Sequence, residues 1–343
     1  MPCVLGGLRA YGIGTDTKVY GDRLARQALI SPNWNYYMES IERVEVGVLA
    51  LNYIIMKTLG HVNWCYFFYQ LITISCVYIG AYKHRKTISL PYIMLLWMFT
   101  FYNGSYNIMR QFMAASIIFM NIDQLEKNQY KKFAITIAVA CLFHRSAVIV
   151  FPLFFGMHIF ASSEFLARKL WLKSVILYSV IAFSFFVRSL LLSIVSMNMN
   201  SNLAMVYSGY ITSEMESALG RTIVLVTLGE ILMTFLYRKQ GELVLAGKDG
   251  CRNNIDFYRY NMIFFLLCYF AIRLMTGRIV MYTSFINIIL MAAIPRFIKE
   301  KHLRFMVAVA VLGYCASQWW YNIIYQGLSE TYPYKSILDN MLL

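Results

Sequence analysis

Charge is what this sequence has least of. Asp, Glu, Lys and Arg together make up 14% of its 343 residues, and only 17 of them are acidic. A soluble domain cannot face water with so little charge, so a water-soluble enzyme or binding module is excluded. Prolines number six, and no tract rich in Pro, Gly or Ser divides the chain, which reads as one domain over 1–343. No internal repeat is visible, which removes the inverted-repeat signature of many secondary transporters. The seven cysteines form no CxxC pair. Most sit in apolar runs (Cys65, Cys76, Cys141, Cys268, Cys315) as small hydrophobes rather than metal ligands or disulfide partners. No DxD or DxE pair falls among the candidate residues below, and His61 and His144 stand alone in sequence. Neither a divalent metal nor any other cofactor is therefore expected.

What is present is apolar. Hydrophobic residues make up 59% of the chain and the mean hydropathy is +0.55. Runs of spanning length recur from end to end, so the surrounding solvent is lipid. Backbone groups find no water in a bilayer core, which leaves a helix bundle or a closed barrel. The runs are continuous rather than alternating, so the expectation is an all-α polytopic transmembrane bundle of roughly 10–11 spans. The candidates are 63–82, 88–103, 107–123, 132–144, 146–160, 171–197, 220–237, 257–275, 279–298 and 304–324. Segment 46–60 reaches only about 22 Å as a helix, short of a ~30 Å hydrocarbon core; it reads as short, re-entrant or interfacial. Residues 1–10 are apolar, too short to span and without the basic leader of a signal peptide. The expectation there is a late start, or the tail of a lost first helix.

The net charge of +14 suggests loops held in the cytoplasm rather than nucleic-acid binding. Lys83–Lys86, Lys127–Lys132, Arg168–Lys173, Arg238–Arg252 and Arg296–Arg304 are separated by pairs of spans, so one topology places all five inside. The outer face then receives 103–110, 144–146, the loop 198–220, 276–278 and the C-terminal tail. The side of the polar segment 11–45 depends on whether 46–60 spans.

Candidate chemistry gathers on that outer face. Arg110, beside Gln111, opens an apolar helix, where a cation opposes the helix dipole and calls for an anion. It is either a bidentate phosphate ligand or an interfacial arginine snorkelling to headgroups. His144, followed by Arg145 and Ser146, lies between two apolar stretches. It can take a proton from a sugar hydroxyl, or simply close a hairpin through backbone hydrogen bonds. Arg273, Arg278 and Tyr282 share one outer end, with Arg278 and Tyr282 four residues apart on one helical face; Arg221 repeats the theme more weakly.

The order of these motifs resembles the EpsG/Wzy group of polytopic polymerases of O-antigens, capsules and exopolysaccharides. Leu8-Arg9-Ala10-Tyr11-Gly12-Ile13-Gly14-Thr15-Asp16 through Tyr20 is similar to its N-terminal Arg-Gly-Asp-Tyr element, and Met109-Arg110-Gln111-Phe112-Met113-Ala114 to its Arg-Gln helix start. Phe143-His144-Arg145-Ser146, with Pro152 behind, resembles its His-x-Ser turn; Arg278 with Tyr282, and Pro333-Tyr334-Lys335, resemble its last two elements. Glu45-Val46-Gly47 resembles a Glu-Pro-Gly step, with Val in place of Pro.

The resemblance implies a metal-independent glycosyltransferase of the bacterial inner membrane, with its active site on the periplasmic or outer face. Donor and acceptor would be oligosaccharide repeats on undecaprenyl diphosphate, and a flippase and a chain-length regulator would be its partners. Arg110 and Arg278 would stabilise the leaving diphosphate and His144 would act as base. Arg9, Asp16, Glu45, Gln111, Ser146, Arg221, Arg273, Tyr282, Tyr334 and Lys335 would contact substrate. Two other readings are a flippase, which would need cations at the membrane midplane, and a sugar-modifying membrane acyltransferase, whose early His-Arg-Glu pattern is missing.

Overall fold

The computed structural model describes residues 2–163, 228–246, 255–271 and 273–339, with isolated positions between 165 and 179. Among the described residues every regular element is helical, and the one extended pairing is a single antiparallel bridge between Arg9 and Ser336. The described residues adopt the expected all-α class. The chain's contacts gather into two compact units, Met1–Phe151 with His302–Leu343, and Pro152–Lys301, although neither junction is marked by a change in composition.

The first unit contains α1 (Pro2–Leu8), α2 (Asp22–Ile30), α3 (Trp34–Ser40), α4 (Val46–Leu59), α5 (Val62–Lys83), α6 (Leu90–Phe101), α7 (Met109–Met120), α8 (Ile122–Glu126) and α9 (Tyr130–Cys141). Helix α10 (Val150–Ser162) leads into the second unit, which holds α11 (Arg238–Ala246), α12 (Ile255–Ala271) and α13 (Arg273–Ala293); α14 (Lys301–Trp319) returns to the first. Among the described residues, α5 and the stretch Arg145–Ser162 are long and apolar enough to cross a membrane. The expected spans at 88–103, 107–123 and 132–144 appear as α6, α7 and α9, each 12 residues or about 18 Å. Segment 46–60 is the 14-residue α4, which stops where Gly60 turns left-handed at φ +71°. Most of the span 171–197, the loop 198–220 and the first part of 220–237, up to residue 227, lie outside the described residues.

Two ends of the first unit are fixed by polar contacts. Near the start of α5, Asn63 donates to the carbonyls of Gly7 (2.5 Å) and Arg9 (3.0 Å). At its far end Lys83 donates to the Met120 carbonyl (2.6 Å) and pairs with Asp123 (2.7 Å), which Lys127 also reaches (3.0 Å). The 22 residues of α5 separate these ends by about 33 Å. The basic loops expected on one side, 83–86 and 127–132, therefore meet at one end, and the starts of α5 and α7 lie at the other.

The polar segment 11–45 is a packed layer at the second of these ends. Helix α2 buries Leu24, Ala25 and Ala28 and exposes Arg23 and Arg26, an amphipathic split that seats one face on the bundle. With Tyr37 and Ile41 these residues join Val48, Leu49, Ile55, Cys65, Tyr66, Met109 and Met113 in one core. Outward faces stay apolar: Ile54, Ile135, Phe305 and Met306 are all more than 60% exposed, the reverse of a water-facing helix surface.

In the second unit α12 packs on α13. Asn261 donates to the Thr283 carbonyl (2.9 Å) and to Asn287 (2.5 Å), and Asp256 joins Arg259 (2.5 Å) to Arg238 (3.0 Å).

Candidate active site

Glu45 is the centre of the arrangement. It stands at the N-cap of α4 with an extended backbone, but its carboxylate makes no bond to its own helix. One oxygen accepts from Arg110 Nη1 at 2.7 Å. The other lies 3.2 Å from His144 Nδ1 and accepts from the Arg145 amide at 3.1 Å, with the Arg145 guanidinium at 3.7 Å. Burial pushes the Glu45 carboxyl up, but the hydrogen bonds from His144 and the Arg145 amide, together with the Arg110 charge, outweigh it and hold the group down at about 2. Glu45 is therefore ionised, and it supplies one of the anions that the position of Arg110 calls for.

Backbone geometry brings these groups together. Helix α9 closes tightly, with the amides of Phe143 and His144 both bonded to the Ala140 carbonyl. His144 is extended and leads into a 3-10 turn over Arg145–Ile149. This elbow meets the start of α4 where the Gly47 amide donates to the Leu142 carbonyl at 2.9 Å. A Cβ on Gly47 would lie 2.6 Å from that oxygen, so only glycine permits the approach. Among the described residues no group bonds His144 Nε2. With Nδ1–H directed at Glu45, Nε2 is the nitrogen left to accept a proton.

Asp16 is the second acid near the start of α7. Its Oδ2 accepts from the Met109 amide at 3.0 Å, an orphan donor in the first turn of α7, and also takes a short hydrogen bond from the Tyr20 hydroxyl. Asp16 thus caps a helix that begins 93 positions later in the chain. Burial raises the Asp16 carboxyl above the ordinary carboxylate range despite those hydrogen bonds and the Arg110 charge. Arg110 also lies over the Tyr20 ring, 4.6 Å from its centroid, and its side chain keeps 22% exposure. Its guanidinium is thus held by Glu45 and Tyr20 and remains partly accessible.

Arg9 is not open. It is 1% exposed, donates to the Tyr106 carbonyl (3.1 Å) and to Met109 Sδ (2.8 Å), and sits over the rings of Tyr66 and Tyr106 at 4.1 and 5.0 Å. Its bonds tie the first motif to the start of α7. Gly14 closes the same joint: at φ +82° its Cβ position lies 2.4 Å from the Tyr106 carbonyl oxygen.

The tail arrives beside Arg9. The Ala10 amide donates to the Lys335 carbonyl (2.9 Å), Ile337 to Leu8 (2.8 Å) and Gly14 to Glu330 (3.1 Å). Tyr334 Oη donates to the Leu5 carbonyl at 2.6 Å. Tyr334 and Lys335 thus serve here through a hydroxyl and a carbonyl that tie the tail to the N-terminal segment. Gln111 is buried at 1%, and Ser146 is half-buried beside the elbow.

The second motif group is placed differently. Tyr282 is buried in α13 of the second unit. Arg273 and Arg278 lie on the same helix with their side chains outside the described residues, and Arg221 lies outside them altogether. Sequence reasoning passed over Arg145, which was quoted beside His144 but given no role, and Tyr20, which closes the first motif. Proximity to a motif was the available signal for both. No group of three His, Cys, Asp or Glu side chains is placed to share a metal ion among the described residues.

Segments 9–20, 45–47, 109–111, 144–146 and 330–335 thus meet at one end of the first unit. No curated protein and no solved structure matches the chain significantly. A family model does, over residues 1–336, under the description EpsG family. The chain belongs to the EpsG family, the family of Wzy-like polysaccharide polymerases.

Proposed function

We propose that the protein is a multi-spanning inner-membrane glycosyltransferase that polymerises oligosaccharide repeats carried on undecaprenyl diphosphate. The observation that carries this reading is the buried His144, oriented by Glu45 through Nδ1 and with Nε2 unbonded, with Arg110 and Arg145 on the same carboxylate. The exposed apolar faces of the helices support insertion of the chain as a bundle.

In the proposed reaction an acceptor sugar hydroxyl gives its proton to His144 Nε2 as its oxygen bonds to the donor's anomeric carbon. The bond from that carbon to the phosphate oxygen breaks, and lipid diphosphate leaves with the electron pair. Arg110 and Arg145 offset the charge that develops on it. Glu45 holds His144 in one tautomer and stabilises the imidazolium that forms. A flippase would deliver the acceptor unit and a chain-length regulator would limit the product.

The test is complementation of a polymerase-deficient strain. His144→Ala and Arg110→Lys are expected to insert normally yet accumulate unpolymerised lipid-linked units, Arg110→Lys because an ammonium cannot replace a planar fork. Long chains made by His144→Ala would show the base to be elsewhere.

A further inference from the structure

The first unit contains a cavity of about 350 Å³ that the reaction above does not use, lined in part by Phe99, Tyr102, Tyr106, Trp319, Tyr332 and Tyr334. Its volume falls in the lower part of the ~300–1,000 Å³ range of small-molecule sites. We propose that this cavity is a carbohydrate subsite, in which one pyranose ring of the lipid-linked repeat packs on tyrosine and tryptophan faces next to the Arg110–His144 cluster. The inference rests on the polymerase reading and adds to it where a sugar is held.

The walls are fixed before any ligand arrives. Trp319 Nε1 donates to Asn103 Oδ1 (2.8 Å), and Asn103 Nδ2 donates to Thr331 Oγ1 (2.8 Å). Phe99 meets Trp319 edge to face at 6.1 Å, and Tyr102 meets Tyr106 at 5.2 Å with their hydroxyls 2.6 Å apart. Tyr102 also donates to the Pro2 carbonyl (2.7 Å), as Tyr334 does to Leu5 (2.6 Å). With the tips of Tyr102, Tyr106, Tyr334 and Trp319 bonded within the protein, what these side chains contribute to the lining is aromatic ring. One face of a pyranose is lined with C–H groups and packs well on such rings, and rigid platforms lose little entropy on binding.

Placement favours sugar over the polyprenyl chain. One wall, Thr331–Tyr334, is irregular chain beyond the helix ends, tied by the tail to residues 8–14. Irregular backbone does not lie against lipid hydrocarbon. Tyr106 joins the cavity to the cluster: its ring lines the cavity, its carbonyl accepts from Arg9, and three residues later the Met109 amide donates to Asp16.

The test is saturation-transfer NMR on the full chain in detergent, with methyl glycosides of hexoses and N-acetylhexosamines as probes and farnesyl phosphate as the lipid probe. At least one glycoside is expected to bind, through the C–H protons of one ring face. Trp319→Leu and Tyr332→Ala should weaken it at least tenfold, while Trp319→Phe, which keeps an aromatic face, stays within about threefold. Melting temperatures identify any variant that fails to fold. His144→Ala should bind the glycoside as wild type does, so a polymerase-active His144→Ala would overturn the catalytic reading while leaving the subsite standing. Absence of glycoside binding, indifference to Trp319→Leu and Tyr332→Ala, or loss of farnesyl phosphate alone would each overturn the subsite.

Discussion

Replacing Gly47 with alanine tests whether the meeting of α4 and the His144 elbow sets the site. The added Cβ would fall 2.6 Å from the Leu142 carbonyl oxygen and 3.0 Å from that residue's carbonyl carbon and Cβ. Two of these are backbone atoms, so neither side can turn away as a flexible side chain would. Reaching an ordinary contact requires the two backbones to part by roughly 0.6–0.8 Å, at an overpacking cost of about 1–3 kcal/mol. The Gly47–Leu142 hydrogen bond, now 2.9 Å, would stretch with them. Glu45 rides on the moving segment, and its 3.2 Å contact with His144 would open past hydrogen-bonding reach. A misplacement approaching 1 Å costs on the order of 10²-fold in rate, so Gly47→Ala should insert and fold but polymerise ~10- to 100-fold more slowly. The assay is polymer length and yield in a complemented strain, beside thermal melting of the purified protein. Gly313→Ala is the control, since nothing lies within 4 Å of its Cβ position, and a helical alanine there should stabilise by up to ~1 kcal/mol. Wild-type polymer from Gly47→Ala would refute the claim that this approach positions Glu45.

Two further predictions concern the acids. An acid whose pKa is lower folded than unfolded adds stability that is complete above its ordinary value of 4.5 and is lost as pH falls through about 2. For Glu45 this amounts to on the order of 3 kcal/mol. Glu45→Gln should therefore abolish a matching part of the fall in melting temperature between pH 5 and 2, and an unchanged profile would refute the assignment. Asp16 runs the other way, because its raised pKa makes ionisation cost stability as pH rises. Asp16→Asn, which can still cap α7, should match or exceed wild type in chemical denaturation at pH 8, whereas Asp16→Ala should lose ~1 kcal/mol with the cap. Equal losses in both would point to the charge rather than the cap.

The helical class was legible in the sequence, and His144 and Arg110 stood out there because each carries a local sign, a polar residue at the edge of an apolar run; Asp16 and Glu45 stood out only through the family resemblance. Their mutual contacts were not. Nothing near Ile108 says that the cap of α7 comes from Asp16, since a capping oxygen is ordinarily sought one residue before the helix. The anion called for beside Arg110 was expected from substrate, and the protein supplies one itself in Glu45. Residues 11–45 read as polar because α2 has a charged face, yet its alanines and Leu24 pack as tightly as any residue of the unit. Gly47 was visible only as part of a family step; its purpose lies in a carbonyl 95 residues away.

The tie between residues 8–14 and 330–337 has a consequence for biosynthesis. Arg9 leaves the ribosome well ahead of residues 330–337, so the Arg9–Tyr106 joint can form early while its clasp waits for that later segment to emerge. A nascent chain stopped before Glu330 would have the Glu45 cluster but lack the wall at Thr331–Tyr334 and the bonds that pin it. Maturation of this end of the molecule thus waits for residues 330–337, and chains cut short ahead of them would leave it unfinished.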